Sequence, residues 1–142
     1  CMEANFNAYF WWYLKRYYSM LGDGEKGTTA GAVLKRGYVM SHYAKYATGR
    51  QRVDVSKIEN RKQVYITAYQ GANDISLIIV NESTDPLTNL KVNIPVTAQS
   101  LEVIRTTESE NMVKVNMTLG SDKKSTILNI PSRSIVSVKF LK

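Results

Sequence analysis

A nearly unbroken aromatic run near the start, a glycine-rich connection into one segment of helical period, and eight short segments of period two together predict a mainly β protein. The order of these pieces matches the last β/α unit of a (β/α)8 TIM barrel followed by an antiparallel β-sandwich side domain. On this reading residues 1–50 are the terminal strand, loop and helix of an incomplete barrel, and residues 51–142 are the side domain.

The first element is Asn5 to Tyr18, NFNAYFWWYLKRYY. From Phe6 to Leu14 only Asn7 interrupts the aromatic and aliphatic residues, and the run ends at Lys15 and Arg16. A strand with one wet face alternates apolar with polar, whereas a parallel strand covered on both faces reads as continuous apolar sequence. The run therefore suits a barrel strand between an inner core and an outer helix layer. Barrel chemistry sits at the carboxyl ends of strands, which places Trp12, Arg16 and Tyr18 at the functional rim.

Ser19 to Val33 follows, with Gly22, Gly24, Gly27 and Gly31 and the turn pair Asp23–Gly24. Its length predicts a long flexible connection, and its glycine spacing lacks the terminal Gly-Lys-Ser/Thr of a phosphate-binding loop. Leu34, Tyr38, Tyr43 and Tyr46 then recur near the helical period, with Gly49 as the stop, so one helix is predicted over Leu34–Tyr46. Gly37 weakens its first turn. His42, the only histidine, reads as a packed structural residue and not as a catalytic base.

Strands are predicted at Arg52–Ser56, Gln63–Tyr69, Ile75–Asn81, Leu87–Ile94, Leu101–Thr107, Met112–Leu119, Thr126–Ile130 and Ile135–Leu141. Turn-forming clusters separate most of them, and such spacing suggests a sandwich whose core takes Val113, Val115, Met117, Val136, Val138 and Phe140. Asn81-Glu-Ser and Asn116-Met-Thr match the glycosylation pattern, but they read first as strand-end and sheet-surface residues.

A chain that is 44% hydrophobic and 22% charged is folded and not a disordered tail. One cysteine forms no internal disulfide and one histidine no usual zinc cluster, so neither scaffold is expected, and no metal or cofactor. No run is long enough to cross a bilayer as a helix. The opening Cys1-Met2 reads as part of something longer. The net charge of +7 is concentrated early: residues 1–62 hold eleven Lys and Arg against five Asp and Glu, whereas 63–142 hold eight against seven. A basic region rich in Tyr and Trp suits stacking on bases along a nucleic-acid backbone. It equally suits stacking on sugar rings with a guanidinium pairing to an acidic sugar, or a plain solvated surface.

The segments NFNAYFWWYLKRYY, LKRGYVMSHYAKY, RVDV, VYITAY and NIPSRSIVSVKF, in that order, resemble the C-terminal part of glycoside hydrolase family 30, and within it the bacterial glucuronoxylanases. The resemblance implies a (β/α)8 barrel with a side β-sandwich, cutting β-1,4-xylan that bears 4-O-methylglucuronic acid branches. It implies that Trp12, Arg16 and Tyr18 bind the branch sugar; Arg suits that role because its planar fork matches a carboxylate. Lys15 stands where the family commonly has Arg, Tyr17 where it has a small residue, and the Ser19–Val33 loop is longer than usual.

Retaining glycosidases need two carboxylates roughly 5 Å apart, and the resemblance puts both, as glutamates, upstream of this segment. Glu3 reads as a helix-end or loop carboxylate, and Asp23 and Glu25 as polar loop residues, so no catalytic residue is expected in this chain. The expected partner is a polysaccharide, with no nucleic acid and no membrane, in a secreted protein. A missing barrel segment or a second chain is expected to cover Phe6–Leu14, and residues 1–50 to be held from outside. A non-catalytic carbohydrate-binding module and a basic nucleic-acid-binding domain are the alternatives.

Overall fold

The computed structural model describes residues 2–4, 6, 8–56 and 61–142. Among the described residues the elements begin with helix α1, Lys35–Tyr46, followed by β1 (Gln51–Val53), β2 (Val64–Gln70), β3 (Asp74–Asn81) and β4 (Leu87–Asn93). Then come β5 (Ser100–Thr106), β6 (Val113–Val115), β7 (Ser125–Ile130) and β8 (Ser134–Leu141). All eight predicted strands are present. The sixth is shortened to three residues because β6 lies at a sheet edge and pairs only along Val103–Arg105 of β5.

Six strands form one antiparallel sheet in the order β1-β2-β3-β8-β5-β6, and β4 pairs with β7 in a second sheet. The register puts Ile75 opposite Phe140, Leu77 opposite Val138 and Ile79 opposite Val136. These residues share a face and form one core with Leu87 and Val92 of β4 and Leu128 and Ile130 of β7. The two-stranded sheet thus covers one face of the larger one. Val136, Val138 and Phe140 are buried as expected, and Val115 and Met117 pack partly against this core. Val113 is exposed instead, because it sits on the edge strand with no neighbour on one side.

The other face of β3 and β8 is covered by α1, whose Tyr46 packs with Tyr69, Ile78 and Ile135. The helix therefore takes its contacts from this chain's own sheet, contrary to the expectation that residues 1–50 are held from outside. It is fixed at three points. At its start Lys35 Nζ donates to the Thr107 and Glu110 carbonyls, at 2.8 and 3.1 Å, and to Asn111 Oδ1. At its end Ser76 Oγ donates to the Tyr46 carbonyl, and Arg50 grips Asp74 with two bonds of 2.8 and 2.7 Å. Arg50 and the nearby Lys139 hold the Asp74 carboxyl below its usual range.

In the middle His42 is fully buried, with Nδ1 2.7 Å from Ser137 Oγ and Nε2 2.9 Å from Thr106 Oγ1. A neutral imidazole carries one donor and one acceptor nitrogen, and hydroxyls serve either. This is the structural role read from the sequence. Asn81 is also buried, its Nδ2 donating to the Asp85 and Pro131 carbonyls, so it is a turn staple and no glycan acceptor.

Gly37 has a packing reason. A Cβ there would lie 2.7 Å from the Met20 carbonyl oxygen and 2.8 Å from Val33 Cγ1. The helix gives up propensity so that the Ser19–Leu21 backbone can lie directly against it.

Burial, with the Lys45 charge, pushes His42 down to about 4 from its ordinary 6.5. The unfolded chain binds the extra proton first, so the stability from neutral His42 is full above pH 6.5 and is lost as pH falls toward 4. Urea midpoints should fall across that window, and His42→Gln should flatten the fall. The Asp74 contribution, lost only at still lower pH, should persist in the variant.

Candidate functional site

The aromatic run is where structure and expectation part. Described residues from Phe6 to Leu14 form no strand; Asn5 and Asn7 of the predicted element lie outside the described residues. A strand needs hydrogen-bonding neighbours along its edges, and here the pairing is limited to isolated bridges, Lys15 with Leu21 and Leu21 with Val33. The large side chains face solvent: Phe10 is 92%, Trp12 75% and Leu14 63% exposed. Among the described residues no strand covers them.

The end of the run is ordered by a tight reversal. Leu21 N donates to the Leu14 carbonyl and Arg16 N to the Leu21 carbonyl, both at 3.0 Å, while Ser19 N closes back on Arg16 O at 3.0 Å. This turn returns Tyr18 to the side of Arg16. Arg36 on α1 pins the segment from below, donating to the Tyr18 carbonyl and stacking its guanidinium 4.2 Å above the Trp11 ring.

The three predicted residues are brought together in part. Arg16 lies close to Tyr18, whose side chain, ahead of Asp23 and Tyr13, holds the guanidinium above its ordinary value. Trp12 joins them through Tyr13, whose ring lies 4.4 Å from that of Trp12 across a cis peptide bond and 5.6 Å from the Arg16 guanidinium. Tyr13, which was not singled out from the sequence, and Asp23, read there only as a polar loop carboxylate, adjoin these residues, Asp23 with Oδ2 4.0 Å from Arg16. Tyr13 was hidden inside a run read as core, and no local pattern pairs Asp23 with Arg16.

The arrangement is an exposed aromatic surface next to a fixed cationic fork. It can stack a flat apolar face and pair a carboxylate. A groove of about 510 Å3, lined by Lys35, Val39, Gln63 and Arg133 among others, contains none of these residues. It lies against the helix start and the sheet end, so the chemistry is placed by side-chain type and not by concavity. Glu3 is a loop carboxylate as expected, accepting the Ile66 N–H at 3.1 Å.

No family model matches the chain. It is 36% identical over 83 residues to glucuronoxylanase XynC of Bacillus subtilis strain 168, covering 58% of this chain and 18% of that protein. The chain resembles the glucuronoxylanases of glycoside hydrolase family 30. The match spans about a fifth of the length of that curated relative. Among solved structures, a family 30 endoxylanase from Clostridium papyrosolvens C71 superposes with a TM-score of 0.69 at 29% identity, over 79% of this chain and 29% of that one. The family 30 subfamily 8 xylanase Xyn30A from Clostridium acetobutylicum gives 0.74 at 21% identity, over 89% and 32%, which speaks to the fold alone. A mainly β segment similar to part of these family 30 proteins is thus established.

Arg36→Ala removes both the donor to Tyr18 and the cation over Trp11. Limited trypsin digestion should then cut faster after Lys15 and Arg16, while the unfolding free energy from urea titration should change by no more than about 0.5 kcal/mol.

Proposed function

We propose that this chain is the C-terminal segment of a retaining endo-β-1,4-xylanase acting on glucuronic-acid-substituted xylan, contributing branch-sugar binding and a β-sandwich side domain. The observation that carries the reading is the Arg16 guanidinium, 5.6 Å from the Tyr13 ring and beside the Trp12–Tyr13 ring pair on an open surface. Stacking rings suit the apolar face of a sugar, and a guanidinium fork suits the uronate carboxylate. The similarity to a glucuronoxylanase supports the same substrate class.

On this reading residues 1–50 close a (β/α)8 barrel and residues 51–142 are the side domain. Barrel strands outside this chain, or a second polypeptide, cover Phe6–Leu14 and leave the Trp12 and Tyr13 rings at the rim for the sugar; Phe10 and Leu14 supply apolar surface for that contact. The two catalytic glutamates belong to those other strands, the enzyme is exported, and the 142-residue chain alone hydrolyses no xylan.

In the enzyme that carries this segment, Arg16→Lys should lower kcat/KM on glucuronate-substituted xylan roughly tenfold more than on undecorated xylan, because Lys offers a point charge in place of a bidentate fork. Equal loss on both substrates, or none on either, would remove the branch-sugar role.

A further inference from the structure

The Ser19–Val33 connection, expected to be flexible, is a closed and internally bonded loop. Gly22 N donates to Ala32 O at 2.9 Å, Gly31 N returns to Gly22 O at 2.8 Å, and Leu34 N reaches Met20 O at 2.8 Å. A Cβ at Gly22 would lie 2.3 Å from the Thr29 carbonyl oxygen, so the two limbs of the loop touch there through backbone. The next residue is Asp23. Its Oδ1 accepts from Glu25 N at 3.1 Å and Thr28 Oγ1 at 3.5 Å, which fixes the carboxylate in its own loop. Its Oδ2 is then aimed at Arg16, 4.0 Å away.

The two partners are unequal. The Asp23 side chain is 14% exposed and tethered, whereas that of Arg16 is 52% exposed. At 4.0 Å the pair is a charge contact without a direct hydrogen bond, so the guanidinium donors stay available to a ligand. We infer that Asp23 is a specificity-determining residue, a built-in carboxylate beside Arg16 that reduces the site's preference for an acidic sugar over a neutral one. The inference rests on the branch-sugar reading above. A ligand carboxylate arriving at the Arg16 fork meets a cation already partly neutralised and a like charge held at its side. A neutral sugar stacked on Trp12 and Tyr13 meets neither effect.

The cation balance around the loop supports this. Lys26, the other base of the loop, sits 4.1 Å over the Tyr17 ring and is directed to that ring. Arg36 is turned to Trp11 and the Tyr18 carbonyl. Arg16 is therefore the fork presented beside Trp12 and Tyr13, and Asp23 is the carboxylate set against it.

The test is a calorimetric binding titration of the enzyme that carries this segment, with methyl β-D-glucuronide and with methyl β-D-glucoside. Asp23→Asn keeps the Oδ1 acceptor for Glu25 N–H while removing the charge. It should tighten glucuronide binding about threefold, in the range of an exposed ion pair, and leave glucoside binding unchanged. The gain should shrink in high salt. Asp23→Ser, which retains a hydroxyl acceptor for the loop, should move affinity in the same direction. If wild type prefers glucuronide and neither variant binds it more tightly, the inference fails and the branch-sugar reading stands. If no protein prefers glucuronide over glucoside, both fail together.

Discussion

Everything in this chain depends on β3 and β8 being covered on both faces. They pair along eight residues and occupy the middle of the six-stranded sheet. One face carries Ile75, Leu77, Ile79, Val136, Val138 and Phe140 into the core shared with β4 and β7. The other carries Ser76, Ile78, Ile135 and Ser137 toward α1. The second face needs polar residues because helix and strand meet there through hydrogen bonds as well as apolar contact. Ser76 receives the last turn of the helix and Ser137 receives His42. Removing either hydroxyl would leave a buried group unpaired, which costs more than the bond contributes.

That helix in turn sets the position of the candidate site. Gly37 lets the Met20 backbone approach to a distance that no side chain would allow, and Arg36 one residue earlier holds Tyr18 and Trp11. The chain of constraint runs from the sheet to His42, from α1 to the reversal at Arg16–Ser19, and from there to the Arg16 guanidinium. A loop-borne cation thereby gains a defined direction without being buried, which suits recognition of a ligand that must enter and leave.

How much of this could be read from sequence follows from what each pattern reports. Period-two alternation reports one buried face and one different face, and it located all eight strands, with α1 found by its helical spacing. Ser76 and Ser137 sat in that alternation as ordinary polar positions, since nothing local says that a helix lies over them. The unbroken run Phe6–Leu14 reports a demand for cover on every side. It does not report who supplies it, and among the described residues no strand does, so Phe10, Trp12 and Leu14 are exposed. Trp12, Arg16 and Tyr18 were expected, as a proposed sugar-binding set, from the end of the run and from the resemblance. Asp23 was not, because its relation to Arg16 arises from a loop closing through backbone bonds between Gly22, Gly31 and Ala32.

The basic surplus of the early residues now has a more specific meaning than net charge gave it. Of its cations, Lys35 is spent on carbonyls of the β5–β6 turn, Arg50 on Asp74, Arg36 on Trp11 and Tyr18, and Lys26 on Tyr17. A backbone-tracking nucleic-acid surface needs its cations in a row facing outward. These four are turned individually toward carbonyls, a carboxylate and rings of their own chain. Arg16, by contrast, is presented outward beside aromatic faces with one carboxylate set against it, an arrangement whose chemistry suits pairing with a single acidic group.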